Sequence, residues 1–319
     1  MSELPASRRT LRGVLWRWLT GTAALVTSLA FLVGVALRAS GYDGDPRLLA
    51  VRYATPLPVL AALALAVFML RWRRPGLLRN LALFCIAGCL AQWWSHSHRA
   101  HPPQHAPAEL RVAYWNANRP PARAPQTAEF AASLGADILG LGETGATYGY
   151  IPRGWRERFA DRSIVPMRGG MMLITRGRAE LLESGPLRES GIYSVVAVEI
   201  DGLAWKVILV DLFAHPWYPR QPAFDMIREL AVRHAGPRLI VMGDFNTPAD
   251  APATSALREK LHDAFETAGR GWAETWPMPA PVLSLDHIWL SRETRVLRCE
   301  HGWSWLSDHR PVIATVAVE

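Results

Sequence analysis

The sequence predicts an α+β domain preceded by an all-α transmembrane anchor. Three observations carry that expectation. Three apolar stretches bounded by arginines occupy the first third of the chain. Beyond them, short apolar runs of strand length alternate with amphipathic segments of helical period. Polar and acidic residues gather where the apolar runs stop, and sites in sheet proteins are often built there.

A length of 319 residues can hold one large domain or two ordinary ones. Hydrophobic residues make up 50% of the chain and the mean hydropathy is +0.05, high for a purely soluble protein. The net charge of +7 and the isoelectric point near 9.8 invite a nucleic-acid reading. The charge is unevenly spread, however. Residues 1–110 hold twelve arginines against four acids, whereas basic and acidic residues nearly balance over residues 111–319. A near-neutral remainder argues against a broad phosphate-backbone footprint and leaves only a local patch open. Three cysteines, with Cys85 and Cys89 inside an apolar stretch, exclude a disulfide framework in the remainder.

The apolar stretches are residues 19–37, 53–70 and 80–94. A span needs about 20 mostly apolar residues, so the first two qualify and the third qualifies only with its flanks. Trp16, Trp18, Trp72, Trp93 and Trp94 stand at their ends, as an aromatic belt would place them. A cleaved signal peptide is the rival reading of the first stretch. Its apolar core is too long for that, and two more apolar stretches follow. Arg8, Arg9, Arg12 and Arg17 precede the first stretch, and Arg71, Arg73, Arg74 and Arg79 fill the second loop. Positive-inside counting therefore places the N-terminus and second loop in the cytoplasm, and everything after Trp94 outside. The expected organisation is a membrane anchor of three transmembrane helices over residues 1–95, a His- and Pro-rich solvated linker over 96–109, and the α+β domain over 110–319. The expected location is the inner (plasma) membrane, multi-pass, with the α+β domain periplasmic or extracytoplasmic.

Along that domain, residues 111–116 form a strand ending at Asn116, with Asn118 two positions on. Residues 120–125 are Pro-rich and lead to a helix at about 127–134. A strand over 138–141 ends just before Glu143. Residues 169–176 make a strand entered through two glycines. Strands 194–200 and 205–213 pair across Asp201-Gly202, a hairpin signal, and the second runs into His215. An amphipathic helix over 223–234 precedes RLIVMGDFNTPADAP, residues 238–252. There, 239–242 suit a buried strand, Gly243 ends it, and Asp244 and Asn246 leave its end pointing the same way. An Asx turn closing the strand is the competing reading of that pair. A helix near 253–261, a strand over 282–290 bearing Asp286 and His287, a strand over 295–298, the Ser307-Asp308-His309 triplet and a final strand over 312–318 complete the domain.

Six blocks now stand in order: the Asn116 strand, DILGLGE, VILVDLFAH, GDFN, LDHIWL and SDHRPV. In these blocks the chain resembles the endonuclease/exonuclease/phosphatase superfamily, as a membrane-anchored bacterial-type member. The resemblance implies a DNase I-like four-layered α/β sandwich, two packed mixed β-sheets flanked by helices. It also implies hydrolysis of a phosphate mono- or diester with a divalent cation, magnesium or alternatively manganese, an ion that favours oxygen ligands. Carried residue by residue, it implies metal binding by Glu143, supported by Asn116 and Asp308. His309 becomes the base that activates water, held by Asp286, with Asp308 as the rival. Asp244 and Asn246 position the water and a phosphoryl oxygen, and His215 binds phosphate or protonates the leaving group. His287, next to Asp286 on a strand, should face the other way and be structural. Arg310 should form an ion pair or line the cleft. Departures are Pro216-Trp217 after His215 and Ser284-Leu285 before Asp286. The expected partners are a phosphate-ester substrate, nucleic acid or phospholipid/inositol phosphate, and the lipid bilayer through the N-terminal helices; no protein partner is expected. The rival function is a catalytically inactive binding module on the same fold.

Overall fold

Proline decides where the apolar helices break. The computed structural model describes residues 6–41, 45–119 and 124–318. Expectations for residues 1–5 and 42–44 of the anchor, 120–123 of the Pro-rich run and residue 319 fall outside the described residues. The chain divides into two compact units, one dominated by residues 1–42 and 48–96, the other by residues 97–319.

The first unit contains α1 (Ala6–Ser40), α2 (Pro46–Ala54), α3 (Leu57–Leu70) and α4 (Leu77–Ser97). Val14–Ser40 and Leu77–Ser97, 27 and 21 residues, are each long and apolar enough to cross a membrane. The second expected span differs from the sequence reading. It is not one helix from residue 53, because α2 and α3 meet at 71°. Pro56 stands at the start of α3 in an extended conformation. A proline has no N–H to give the preceding turn and its ring clashes there. The 14 residues of α3 reach only about 21 Å, short of a hydrocarbon core of about 30 Å. A third span therefore exists only if the bent pair counts as one. Much of the surface of these helices is apolar, with Leu25, Leu29 and Leu32 of α1 and Leu83 and Phe84 of α4 exposed.

The second unit runs β1 (His98–Ala100), β2 (Glu109–Asn116), α5 (Ala124–Ser133), β3 (Ile138–Gly142), α6 (Arg153–Arg158), β4 (Ser163–Pro166), β5 (Met172–Thr175), β6 (Arg178–Pro186), β7 (Gly191–Ile200) and β8 (Leu203–Leu212). It continues with α7 (Arg220–Arg233), β9 (Leu239–Asp244), α8 (Ser255–Arg258), β10 (Leu261–Asp263), α9 (Ala264–Ala268), β11 (Gly269–Trp272), β12 (Asp286–Ser291), β13 (Val296–His301) and β14 (Val312–Ala317). Eight strands form one sheet in the order β1-β11-β13-β14-β2-β3-β5-β4, and six form the other as β10-β12-β9-β8-β7-β6. Both are mixed: β2 and β3 run parallel in the first and β8 and β9 in the second, with antiparallel neighbours.

Alternation along the strands builds four layers. Val112 and Tyr114 of β2 meet Val207, Leu209, Ile240, Met242, Ile288 and Leu290 of the other sheet in a shared core. Their neighbours Ala113 and Trp115 face outward onto Ala128 and Ala131 of α5 and Trp155 of α6. On the far side, Ile208, Val210, Leu239 and Val241 cover Phe224, Ile227 and Leu230 of α7. This is the two-sheet, helix-flanked α/β sandwich expected from the sequence. The β7–β8 hairpin turns at Asp201 and Gly202, both at positive φ (53° and 76°), as a tight primed turn requires.

Several elements differ from the sequence reading. Within the stretch read as linker, His98–Ala100 add an edge strand paired with β11, and Gln104 N–H donates to Leu297 O at 3.0 Å. Residues 276–285 lie ahead of β12 as a loop that closes on itself by the Trp276–Leu283 bridge. Pro277, Pro279 and Pro281 lack the N–H that a ladder needs. Strand β6 is an edge whose side chains alternate towards solvent, so its sequence carries little apolar signal.

Candidate active site

One end of the sandwich collects the polar strand termini. Strands β8, β9 and β12 lie side by side, with Asp211 opposite Asp244 and Asp244 opposite Asp286. Each acid is an even number of residues from inward core positions, Leu209, Met242 and Ile288, so all three face the gap between the sheets. Gly243 lets β9 lie this close to β8: a Cβ there would fall 2.0 Å from Val210 O. From the facing sheet, Asn116 ends β2 on the same inner face as Tyr114.

Hydrogen bonds tie these residues together. Asn116 Nδ2 donates to Asp244 Oδ2 at 3.1 Å, and Asn246 N–H donates to Asp244 Oδ1 at 2.9 Å. His309 Nδ1 lies 2.8 Å from Asp286 Oδ2, and its Nε2 lies 3.8 Å from Asp244 Oδ2. The loop bearing His309 is anchored at β2. Ser307 Oγ donates to Asn116 O at 2.7 Å and accepts from His309 N–H at 3.0 Å, while Trp115 Nε1 donates to His309 O at 3.0 Å. Asp244, Asp286 and His309 are all buried.

The electrostatics follow from three acids in a row. Burial, then the Asp286 charge, push Asp244 up to about 7 against the opposing pull of His309, Asn246 and Asn116. Burial, then Asp244 and Glu143, push Asp211 up to about 8. Burial opposes a charge on His309, but Asp286 and Asp244 outweigh it and raise the imidazole to about 10. The buried Asp286 Oδ1 has no hydrogen-bond partner among the described residues. One donor atom each from Asp244, Asp286 and His309 lie within 4.8 Å of one another. Rich in carboxylate oxygens, one of them to spare, this donor set fits a hard divalent cation.

The structure brings Asn116, Asp244, Asn246, Asp286 and His309 into one bonded group. Asn116 serves it by fixing Asp244, its own Oδ1 accepting from Asn118 N–H at 3.0 Å. Asn246, in the left-handed region at φ 43°, gives one amide hydrogen to Leu212 O at 2.7 Å. Glu143, also left-handed at φ 51°, sits past the end of β3 in an ion pair with the exposed Arg119 at 3.1 Å. Asp308 turns aside to accept from Trp276 Nε1 at 3.0 Å, so Asp286 and not Asp308 holds His309. His215 is exposed in the loop after β8, with its ring against Trp217 and Tyr218. The expectation for Arg310 is corrected. Its guanidinium donates to the carbonyls of Gly302, Glu274 and His301 at 3.0 Å each, fastening the loop before β14 instead of lining a cleft or pairing with an acid. His287 faces away as expected, between Asp263 Oδ2 at 3.1 Å and Ser284 O at 3.2 Å.

Two contributors escaped the sequence reading. Asp211 is an acid at the end of an apolar strand, the same signal that singled out Asp244, but His215 drew attention in that block. Trp276 carries no local signal, because its partner Asp308 is 32 residues away.

Comparison with known proteins identifies the family and the fold. The model of a family described as Endonuclease/Exonuclease/phosphatase matches residues 113–309. No curated protein matches the sequence. Among solved structures, an endonuclease/exonuclease/phosphatase family protein from Bacteroides thetaiotaomicron is similar at 17% identity and a TM-score of 0.53, over 67% of this chain and 100% of its own. A mannosyl-6-phosphatase from the same organism is similar at 17% identity and a TM-score of 0.52, over 66% and 100%. The human Nocturnin catalytic domain, with bound sulfate, is similar at 17% identity and a TM-score of 0.51, over 67% and 95%. At these identities the likeness is one of fold.

Proposed function

Because this chain belongs to the endonuclease/exonuclease/phosphatase family, we propose that its second unit is a divalent-metal-dependent phosphoesterase, tethered to a membrane by the helices of the first. The observation that carries this reading is the Asp211–Asp244–Asp286 row capped by the His309–Asp286 hydrogen bond. A mannosyl-6-phosphatase among the fold neighbours supports a phosphate ester as substrate.

In this reading Asp286 accepts the Nδ1–H of His309, which fixes the ring and its tautomer. With a cation offsetting the charge of Asp244 and Asp286, the ring would give up the proton those carboxylates hold on it, and the neutral Nε2 facing the site would take one from the attacking water. Asp244, whose oxygens are fixed by Asn116 and Asn246, orients that water. The remaining amide hydrogen of Asn246 meets a phosphoryl oxygen, and His215, on the loop after β8, binds phosphate or protonates the departing oxygen. Glu143, Asp244 and the spare oxygen of Asp286 would hold the cation, with Asn116 and Asp308 around them. Bound there, magnesium or manganese supplies positive charge to the phosphoryl oxygens, where phosphoryl transfer needs it.

The test is hydrolysis of bis-p-nitrophenyl phosphate and p-nitrophenyl phosphate by the full chain in detergent. Chelation should abolish turnover, and Mg²⁺ or Mn²⁺ should restore it. Saturating Mg²⁺, about 100 times its Kd, should add about 2.7 kcal/mol of stability and raise the thermal midpoint. No turnover together with no thermal shift would favour the inactive binding module.

The arginine distribution supports a multi-pass inner-membrane protein with the second unit extracytoplasmic. Protease added to spheroplasts should degrade residues 97–319. Their protection would reverse the topology.

A further inference from the structure

We propose that the site end of the second unit seats in the interface of a phospholipid bilayer through a ring of exposed aromatics, and that the phosphate ester delivered to Asp244 and His309 belongs to a membrane lipid. The substrate half rests on the phosphoesterase reading above; the seating half stands on the surface alone.

Among the described residues of this unit, the exposed large hydrophobics are Tyr148, Tyr150, Phe213, Trp217, Trp303 and Trp305, together with Leu182 and Val232. The six aromatics sit on three loops: after β3, after β8 and before β14. Strand directions bring those loops to one end. β3 runs parallel to β2, β8 parallel to β9, and β14 antiparallel to β2. Asn116 at the end of β2 bonds Asp244 at the end of β9, so the two sheets present the same end. The three loops also carry or adjoin Glu143, Asp211 and His309. Among the described residues, the exposed aromatics of the unit thus lie at the end that carries Asp244, Asp286 and His309, and the opposite end carries none.

Trp and Tyr exposed in this way are costly in water and favoured at the bilayer interface, where one side of the ring is apolar and the other wet. Nucleic acid is the competing occupant. It would call for a basic surface, yet acids and bases nearly balance over residues 111–319. It would also call for flat stacking platforms, yet Trp303 and Trp305 meet edge to face at 78°. The same chain carries helices long and apolar enough to cross a membrane, so a bilayer surface is at hand. At the site, water's oxygen would join phosphorus, the bond from phosphorus to the ester oxygen would break, and water's proton would end on the departing alcohol.

The seating is tested on the full chain in nanodiscs of phosphatidylethanolamine and phosphatidylglycerol, some carrying brominated acyl chains. The fluorescence lost in a W303F/W305F variant is the signal of those two rings. Quenching of that signal by bromolipid is expected. Quenching by acrylamide alone, or by an added oligothymidylate instead of lipid, would overturn the proposal. The substrate is tested with mixed-micelle phospholipids of several head groups beside bis-p-nitrophenyl phosphate. Trp305→Ser and Tyr148→Ser should each slow phospholipid turnover at limiting lipid by about tenfold, as loss of one interfacial ring predicts, with the soluble ester within about twofold. Equal loss on both substrates, or cleavage of the soluble ester with no phospholipid cleaved, would overturn the lipid assignment. If neither substrate is cleaved, the phosphoesterase reading itself falls, while bromolipid quenching still reports the seating.

Discussion

Replacing Asp244 with alanine is expected to lower kcat/KM for bis-p-nitrophenyl phosphate by about 10²–10⁴-fold, the range for losing a positioned proton-transfer partner. His309→Ala should cost a similar factor, and the double variant should cost little more than the worse single one. Residues acting as one unit are non-additive, because the second loss removes something already disabled. The geometry leads to this result: Asp244 Oδ2 is the carboxylate oxygen 3.8 Å from His309 Nε2, and Asp286 orients the ring from its other side. Asp286→Asn should keep the ring in place but change its hydrogen-bond partner, so its effect should fall on kcat more than on KM. Steady-state kinetics with saturating Mg²⁺ check all four proteins. Equal rates throughout would remove the assignment, and additive losses in the double variant would show that Asp244 and His309 act separately.

The second large effect is on stability and lies outside the site. Asp263→Ala is expected to destabilise the protein by about 3–5 kcal/mol, the cost of breaking a buried charge pair from one side. Asp263 and His287 are each 4% exposed, and their side chains meet at 3.1 Å. The same carboxylate caps α9, accepting from the N–H groups of Phe265 and Glu266 at 2.9 Å. Burial works against its charge, but the His287 hydrogen bond and charge and the Glu266 N–H outweigh it and hold the carboxyl below its usual range. The sign follows from that direction. A carboxylate with a depressed folded pKa contributes stability above its unfolded pKa of about 3.9 and loses it as pH falls through the folded value. The gap between wild type and Asp263→Ala should therefore shrink in strong acid as Asp263 protonates, and shrink again above about pH 6.5 as His287, where burial is outweighed by Asp263 and the folded pKa is raised, loses its proton. Chemical denaturation at several pH values checks it. A gap that grows as pH falls below about 4 would show that Asp263 folds in the protonated form.

How legible these features were depends on the range of the interaction behind them. Asn116, Asp244 and Asp286 were readable because each ends or begins a short apolar run, and the period of two fixes which face a side chain takes. The break before α3 was equally local, since Pro56 stands in the sequence, although hydropathy alone merges it into one span. Asp211 was readable by the same rule as Asp244. The His287–Asp263 pair was not, because its partners are 24 residues apart. The tie from Trp276 to Asp308 and the grip of Arg310 on three carbonyls were hidden for the same reason.

By itself the sequence determined the apolar N-terminal helices, the strand-and-helix order of the second unit and the residue types of the site, because these depend on periodicity and on neighbours within a few positions. Only the tertiary structure decided which acid holds His309, that Asp211 joins the row beside Asp244, and that the exposed aromatics among the described residues of the unit share one end with that row. Each of these depends on strand register and direction across two sheets, set by pairing between segments tens to nearly two hundred residues apart.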